Sequence, residues 1–290
     1  MFHEGRTPMA RWRPRRTLKL HARLRDGHPA PALSLTRQCE KERSRVFEDQ
    51  WTMLHRHCAD QSSHLRLGRL IHRLSHDDPG VQESALAELE LATQLIRAGA
   101  RVTFLPESQA RSADLECHLG RARFFVEVTA MVGSAERRRL PLRGIAMDEE
   151  RAEEEDRGVI LIHRILARIQ QKAKQLADYR DPVILHISIP RADLRSGKSG
   201  RREEIWLDLK ALSGAVTVLL TRLPHLSAVL VSLWDVHPLP AKAATRLANV
   251  ELVERSRHER THPRVRLLIE NPGGFSVMNE QQRDAFRQII

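Results

Sequence analysis

The segment 112–129, SADLECHLGRARFFVEVT, carries two acids placed to act together, Asp114 at the start of one strand-like run and Glu127 near the end of the next. A tight turn at Leu119, Gly120 and Arg121 joins the runs. A residue six before Gly120 then pairs with one six or seven after it, and the hairpin brings the carboxylates together. Strict alternation puts Glu127 on the face opposite Val126 and Val128, alongside Phe125 and Thr129. An acid sharing a face with an aromatic ring is a ligand or catalytic group, or else it marks an edge open to water. Paired hard oxygens are what Mg²⁺ or Mn²⁺ asks of a protein, since such ions bind through one or two carboxylates plus waters and substrate phosphates. An ion held there lowers the pKa of a water, aligns it with a phosphorus and absorbs charge on the leaving oxygen. The plain alternative is an ordinary hairpin with two solvated acids.

The elements that must carry these acids are legible around them. Asp77, Asp78, Pro79 and Gly80 precede an amphipathic helix over 81–98, with Ala85, Leu86, Leu89, Ala92, Leu95 and Ile96 at spacings of three and four and Gly99 as the stop. Strands are expected at 101–105, 113–119 and 123–129. A long helical stretch follows over about 148–179, opening with seven acids that suit a helix N-terminus. The run 183–189 is apolar throughout, as a strand covered on both faces would be, and so belongs mid-sheet. A basic loop at 190–203, a helix over about 205–221, strands at 226–234, 250–253 and 265–270, and a terminal helix from about Met278 complete the chain.

The 290 residues contain 48 Lys and Arg against 37 Asp and Glu, a net charge of +11, which favours a polyanionic partner. Residues 1–25 hold eight of the cations and one acid, and read as a basic arm able to lie along phosphates. Residues 41–74 read as one or two helices carrying Val46, Phe47, Trp51, Leu54, Leu65, Leu70 and Leu74, an auxiliary module. The three cysteines form no CxxC pair, which points to a reducing, cytoplasmic setting without a four-cysteine zinc site. No apolar run is long enough to span a membrane, and no signal-peptide centre is present. Histidines are scattered without metal-ligand spacing, and His163 and His186 read as core or near-site hydrogen-bonding residues. The Gly-Lys-Ser run at 197–199 lacks the glycine that a phosphate loop needs at 192.

The order of helix 81–98, the run 99–104 (GARVTF), 113–115 (ADL) and 125–129 (FVEVT) resembles the PD-(D/E)XK nuclease superfamily of restriction enzymes, junction resolvases and repair nucleases, over roughly residues 81–190. The resemblance implies a four-stranded mixed sheet flanked by helices, with Asp114 as the motif Asp, Glu127 as its central acid and the Val128 carbonyl facing the metal. It also implies an acid on the first core helix, for which Glu88 is chosen over Glu83 and Glu90. The chain departs from the pattern at Thr129, where the family usually has Lys. A threonine hydroxyl holds a water but cannot supply the charge that steadies an attacking hydroxide.

Members resembling this pattern sometimes carry the lysine on the following helix, which directs attention to 165–176 (ILARIQQKAKQL). Ile165, Ile169, Lys172 and Leu176 share one helical face, whereas Lys174 lies about 140° from Ile169. Lys172 is therefore the inward candidate, with Gln175 as its helper. Only seven of the 48 cationic residues are Lys, and two of them fall here. The bland reading of Lys172 is a residue snorkelling at the edge of the core.

The expected architecture is α/β, a mixed central sheet flanked by helices: a restriction endonuclease-like core with an N-terminal helical extension. It divides into a basic flexible arm (1–40), the extension (41–78) and a nuclease-like α/β domain (79–290). The expected activity is Mg²⁺- or Mn²⁺-dependent hydrolysis of DNA phosphodiester bonds, with Glu88, Asp114, Glu127, Lys172 and Gln175 as catalytic residues and Asp114, Glu127 and Val128 on the metal. DNA is the expected partner and RNA the alternative polyanion, with room for a homodimer or a partner subunit and no membrane. The rival reading is a non-catalytic nucleic-acid-binding or complex-assembly protein that keeps a degenerate nuclease fold.

Overall fold

Helix caps and alternating burial define the elements of the computed structural model, which describes residues 47–58, 60–106, 113–131, 154–189, 205–234, 236–239, 247–255 and 262–290. The basic arm of 1–25, the acidic side chains of 148–156 and the basic loop of 190–203 lie outside the described residues.

The chain enters through α1 (47–57) and α2 (Gln61–Leu74), the latter capped by Asp60, whose carboxylate accepts from the Ser63 amide. Next comes α3 (Pro79–Arg97), with Pro79 at its first turn and Asp78 accepting from Gly80. Gly99, at φ +87°, ends that turn and sends the chain into β1 (Arg101–Phe104). Two further strands, β2 (Leu115–Leu119) and β3 (Ala122–Ala130), form a hairpin about Gly120, at φ +58°. The crossover helix α4 (Glu154–Ala173) returns the chain to β4 (Val183–Ile189), parallel to β3. Then follow β5 (Ile205–Leu207), α5 (Leu209–Leu220), β6 (Ala228–Leu233), β7 (Val236–Pro238), β8 (Val250–Glu254), β9 (Val265–Glu270) and α6 (Glu280–Ile289).

The fold is α/β: a seven-stranded mixed sheet in the order β1-β2-β3-β4-β6-β9-β8, flanked by helices. β4 and β6 are buried at every residue and occupy its middle, as their unbroken apolar runs require. One core joins α2, α3 and α6 to the face bearing Phe124, Val126 and Val128. The other joins α4 and α5 to the face bearing Phe125, Leu185 and Val229. Among the described residues no helix is long and apolar enough to cross a membrane.

Several expectations are corrected. The four-stranded sheet implied by the resemblance is extended to seven by β6, β9 and β8. The helix expected over 205–221 is a strand followed by a helix. Asp208 accepts from the amides of Lys210 and Ala211 and so starts α5 at Leu209, freeing Ile205–Leu207 to pair with β7 in a separate two-stranded parallel sheet. The long helix stops at Ala173 and not near Tyr179, leaving Gln175 in a turn. Leu65 is 63% exposed, while Leu54, Leu67 and Leu70 are buried in the same core as α3, so the N-terminal helices share the core of the sheet.

The seat of β5 on α4 rests on one glycine. A Cβ at Gly158 would collide with the Trp206 carbonyl, a backbone atom that cannot rotate away. Gly158→Ala is therefore expected to destabilise the protein by about 1–3 kcal/mol despite the higher helix propensity of Ala, and Gly158→Ser by at least as much. Urea unfolding midpoints of the two variants check this.

Candidate active site

β2 gives out before β3 does, and the candidate site lies where β3 runs on past it, paired on its other side to β4. The ladder pairs Leu119 with Ala122 and ends at Leu115 opposite Val126. One residue earlier the chain bends at Asp114, whose amide donates to the Val126 carbonyl (3.1 Å). Its side chain then takes the place of the missing strand, with Asp114 Oδ2 accepting from the Val128 amide (2.8 Å). A strand residue points its N–H and C=O to the same side, so the Val128 carbonyl also faces the Asp114 side.

Glu127 lies on the α4 face of β3, between buried Phe125 and Thr129. Its carboxyl lies within reach of the Asp114 charge, and Lys172 Nζ donates to Glu127 Oε1 at 2.6 Å. Lys172 comes from the last turn of α4, on the stripe of Ile165, Ile169 and Leu176, all fully buried, while Lys174 is exposed. Gln175 is half-buried in the following turn, its amide donating to the Lys172 carbonyl (2.9 Å).

Glu88, from α3, is 2% exposed and reaches the same end of the sheet through an arginine. Arg66 Nε and Nη2 donate to its two oxygens at 3.0 and 3.1 Å, and Arg66 Nη2 also donates to Asp114 Oδ1 at 2.9 Å. Arg73 adds a 3.5 Å contact to Glu88 Oε2. Arg66 was not singled out from sequence, although a signal was present. It falls on the buried stripe of α2 with Ser63, Leu67 and Leu70, a charge where the pattern calls for an apolar residue. Tyr179, the one tyrosine of the chain, was also missed. Its hydroxyl accepts from the Ala113 amide (2.7 Å) and its ring lies 4.4 Å from Phe125, closing the wall beside the acids.

The two imidazoles considered from sequence stand apart from this cluster. His163 is exposed on α4. His186 is buried on the opposite face, its Nε2 3.0 Å from Ser232 Oγ; burial and then the Arg266 charge lower its pKa to about 3, so it stays neutral.

The electrostatics of the cluster are those of acids kept from water. Burial first and the Asp114 charge second raise Glu127 from an ordinary 4.5 to about 8, against the pull of Lys172. The same two causes raise Glu88 to about 7, against Arg66. Burial, with the Glu127 and Asp114 charges behind it, also raises the Tyr179 hydroxyl.

Among the described residues no group of three His, Cys, Asp or Glu side chains is arranged to hold a metal. A hard cation here would instead be held by the Asp114 and Glu127 carboxylates and the Val128 carbonyl. The donor set fits, since all are oxygens and the Asp114 charge raises the cost of ionising Glu127, which a divalent ion would lower. No family model, curated protein or solved structure matches the chain.

Both Glu127 and Glu88 bind a proton more tightly in the folded protein than in the unfolded chain. Their contribution is complete below about pH 4.5 and is lost as pH rises toward 8. In EDTA, stability of the wild type should therefore fall between pH 5 and pH 8, and Glu127→Gln should flatten that fall. Urea midpoints across the range test this, and parallel pH profiles for the two proteins would contradict it.

Proposed function

We propose that this chain is a metal-dependent endodeoxyribonuclease built on a restriction endonuclease-like core. The observation that carries the reading is the meeting of Lys172 with Glu127 beside Asp114. A lysine from the crossover helix stands against the hairpin acids where Thr129 supplies no charge. Further support comes from the element order α3-β1-β2-β3-α4-β4, whose strands form the contiguous half β1-β2-β3-β4 of the sheet with a helix on each face. The net charge of +11 suits a polyphosphate substrate.

In this reading Asp114, Glu127 and the Val128 carbonyl hold Mg²⁺ or Mn²⁺. When bound, the ion supplies Lewis acidity and an acidified water. Lys172 holds the Glu127 carboxylate in one rotamer and presents a compact positive charge to the attacking water and the phosphoryl oxygens. Gln175, next to Lys172 in the turn, orients that water. Phe125 and Tyr179 wall the cluster on the α4 side and keep the local dielectric low, which strengthens each of these interactions.

A second reading, a binding or assembly protein with a degenerate site, is favoured by the same salt bridges, because Arg66 and Lys172 already compensate the acids. Single-turnover cleavage of plasmid DNA in Mg²⁺ or Mn²⁺ separates the two. Lys172→Ala is expected to lose roughly 10²- to 10³-fold in rate, as on removal of an oxyanion donor, with DNA affinity little changed. Lys174→Ala, altered at an exposed position, should cleave like the wild type. Glu127→Ala should be inactive. Equal rates for wild type and Lys172→Ala would remove the mechanism, and absence of wild-type cleavage with either metal would favour the binding protein.

A further inference from the structure

Arg66 makes a contact set unlike that of an ordinary buried ion pair. It is 4% exposed, spends Nε and Nη2 on the two oxygens of Glu88, and shares Nη2 with Asp114 Oδ1, so one guanidinium joins two of the three acids. Its helix is fixed independently of those acids. β1 is an edge strand, and α2 serves as the partner of its last residue. The Phe104 amide donates to Ser63 Oγ (2.9 Å), Ser62 Oγ donates to the Phe104 carbonyl (3.2 Å), and Cys58 Sγ donates to the Val102 carbonyl (3.3 Å). Arg66 is thus carried to the carboxylates by a helix that the sheet edge itself holds in place.

We infer that Arg66 is the site's built-in second cation: it occupies the Glu88–Asp114 half of the carboxylate cluster, so that the site takes one divalent ion, between Asp114, Glu127 and Val128, and not two. The inference rests on the metal-site reading above and deepens it. A guanidinium stays charged at every pH the protein meets, and its planar fork matches the Glu88 carboxylate with two parallel hydrogen bonds. Glu88 turns both oxygens to Arg66 and gives Oε2 a further contact from Arg73, which makes it an anchor for the guanidinium and not a metal ligand. Asp114 is the shared member, bonded to Arg66 through Oδ1 and to the Val128 amide through Oδ2. Arg66 is accordingly a positioning residue that sets the number of metal ions and the placement of Asp114.

The test counts Mn²⁺ bound per full-length chain by electron paramagnetic resonance, starting from metal-free protein. The wild type should bind one ion, and Arg66→Lys, which keeps a cation, should also bind one. Arg66→Gln should bind two, the second in the space released between Glu88 and Asp114. Because Arg66→Gln removes the two-pronged partner of buried Glu88 and is the variant most prone to misfold, Glu88→Gln supplies an independent check. It should bind one Mn²⁺ with Kd within threefold of wild type. Two ions in the wild type, one ion in folded Arg66→Gln, or a tenfold weaker Kd in Glu88→Gln would each overturn the inference while leaving the metal site standing. No Mn²⁺ bound to the wild type would overturn the metal-site reading itself.

Discussion

Three carboxylates, those of Glu88, Asp114 and Glu127, are held at one end of the hairpin with little access to water, and the cost of that placement governs what surrounds them. A buried charge left alone costs several kcal/mol, so each acid must find a cation, a hydrogen-bond donor or a proton. All three remedies appear: Arg66 and Lys172 as cations, the Val128 amide as donor, and raised pKa values for Glu88 and Glu127. The interior is therefore neutralised without a metal, yet at a cost that a divalent ion between Asp114 and Glu127 would relieve.

The two cations arrive from opposite sides of the sheet, and this explains the layering. Lys172 comes down with α4, the crossover that makes β4 parallel to β3, on a stripe otherwise made of Ile165, Ile169 and Leu176. Arg66 comes with α2, which covers the edge of β1 and packs with α3 on the other face. The N-terminal helices are thus part of the electrostatic design of the site as well as of the core. Removing either cation alone would take from a buried acid its shortest-range positive partner, a change that in such pairs costs up to about 3–5 kcal/mol.

Much of this was legible because it is local. The hairpin register follows from Gly120 and strict alternation, and it sets Asp114 beside Glu127. The phase of 165–176 turns Lys172 toward β3, and the runs 183–189 and 265–270 appear as strands with the same bounds. What escaped is non-local. Arg66 lies 48 residues before Asp114, and nothing near it in the chain names its partners. Tyr179 reaches the site only because α4 ends at Ala173, earlier than its periodicity indicated, and the chain turns back. β5 was absorbed into a helix because three apolar residues directly before a capped helix look like its first turn, and the Asp208 cap was the signal that would have separated them.

In the proposed function the Asp114–Glu127 end of the hairpin holds a divalent ion with Lys172 at its side. Anomalous diffraction from crystals of the full chain grown with Mn²⁺ and a DNA oligonucleotide addresses it most directly. One strong peak is expected within about 2.5 Å of oxygens from Asp114, Glu127 and the Val128 carbonyl, with a DNA phosphate against it and Lys172. A fully occupied DNA complex with no Mn²⁺ at these residues, or with Mn²⁺ bound elsewhere, would contradict it.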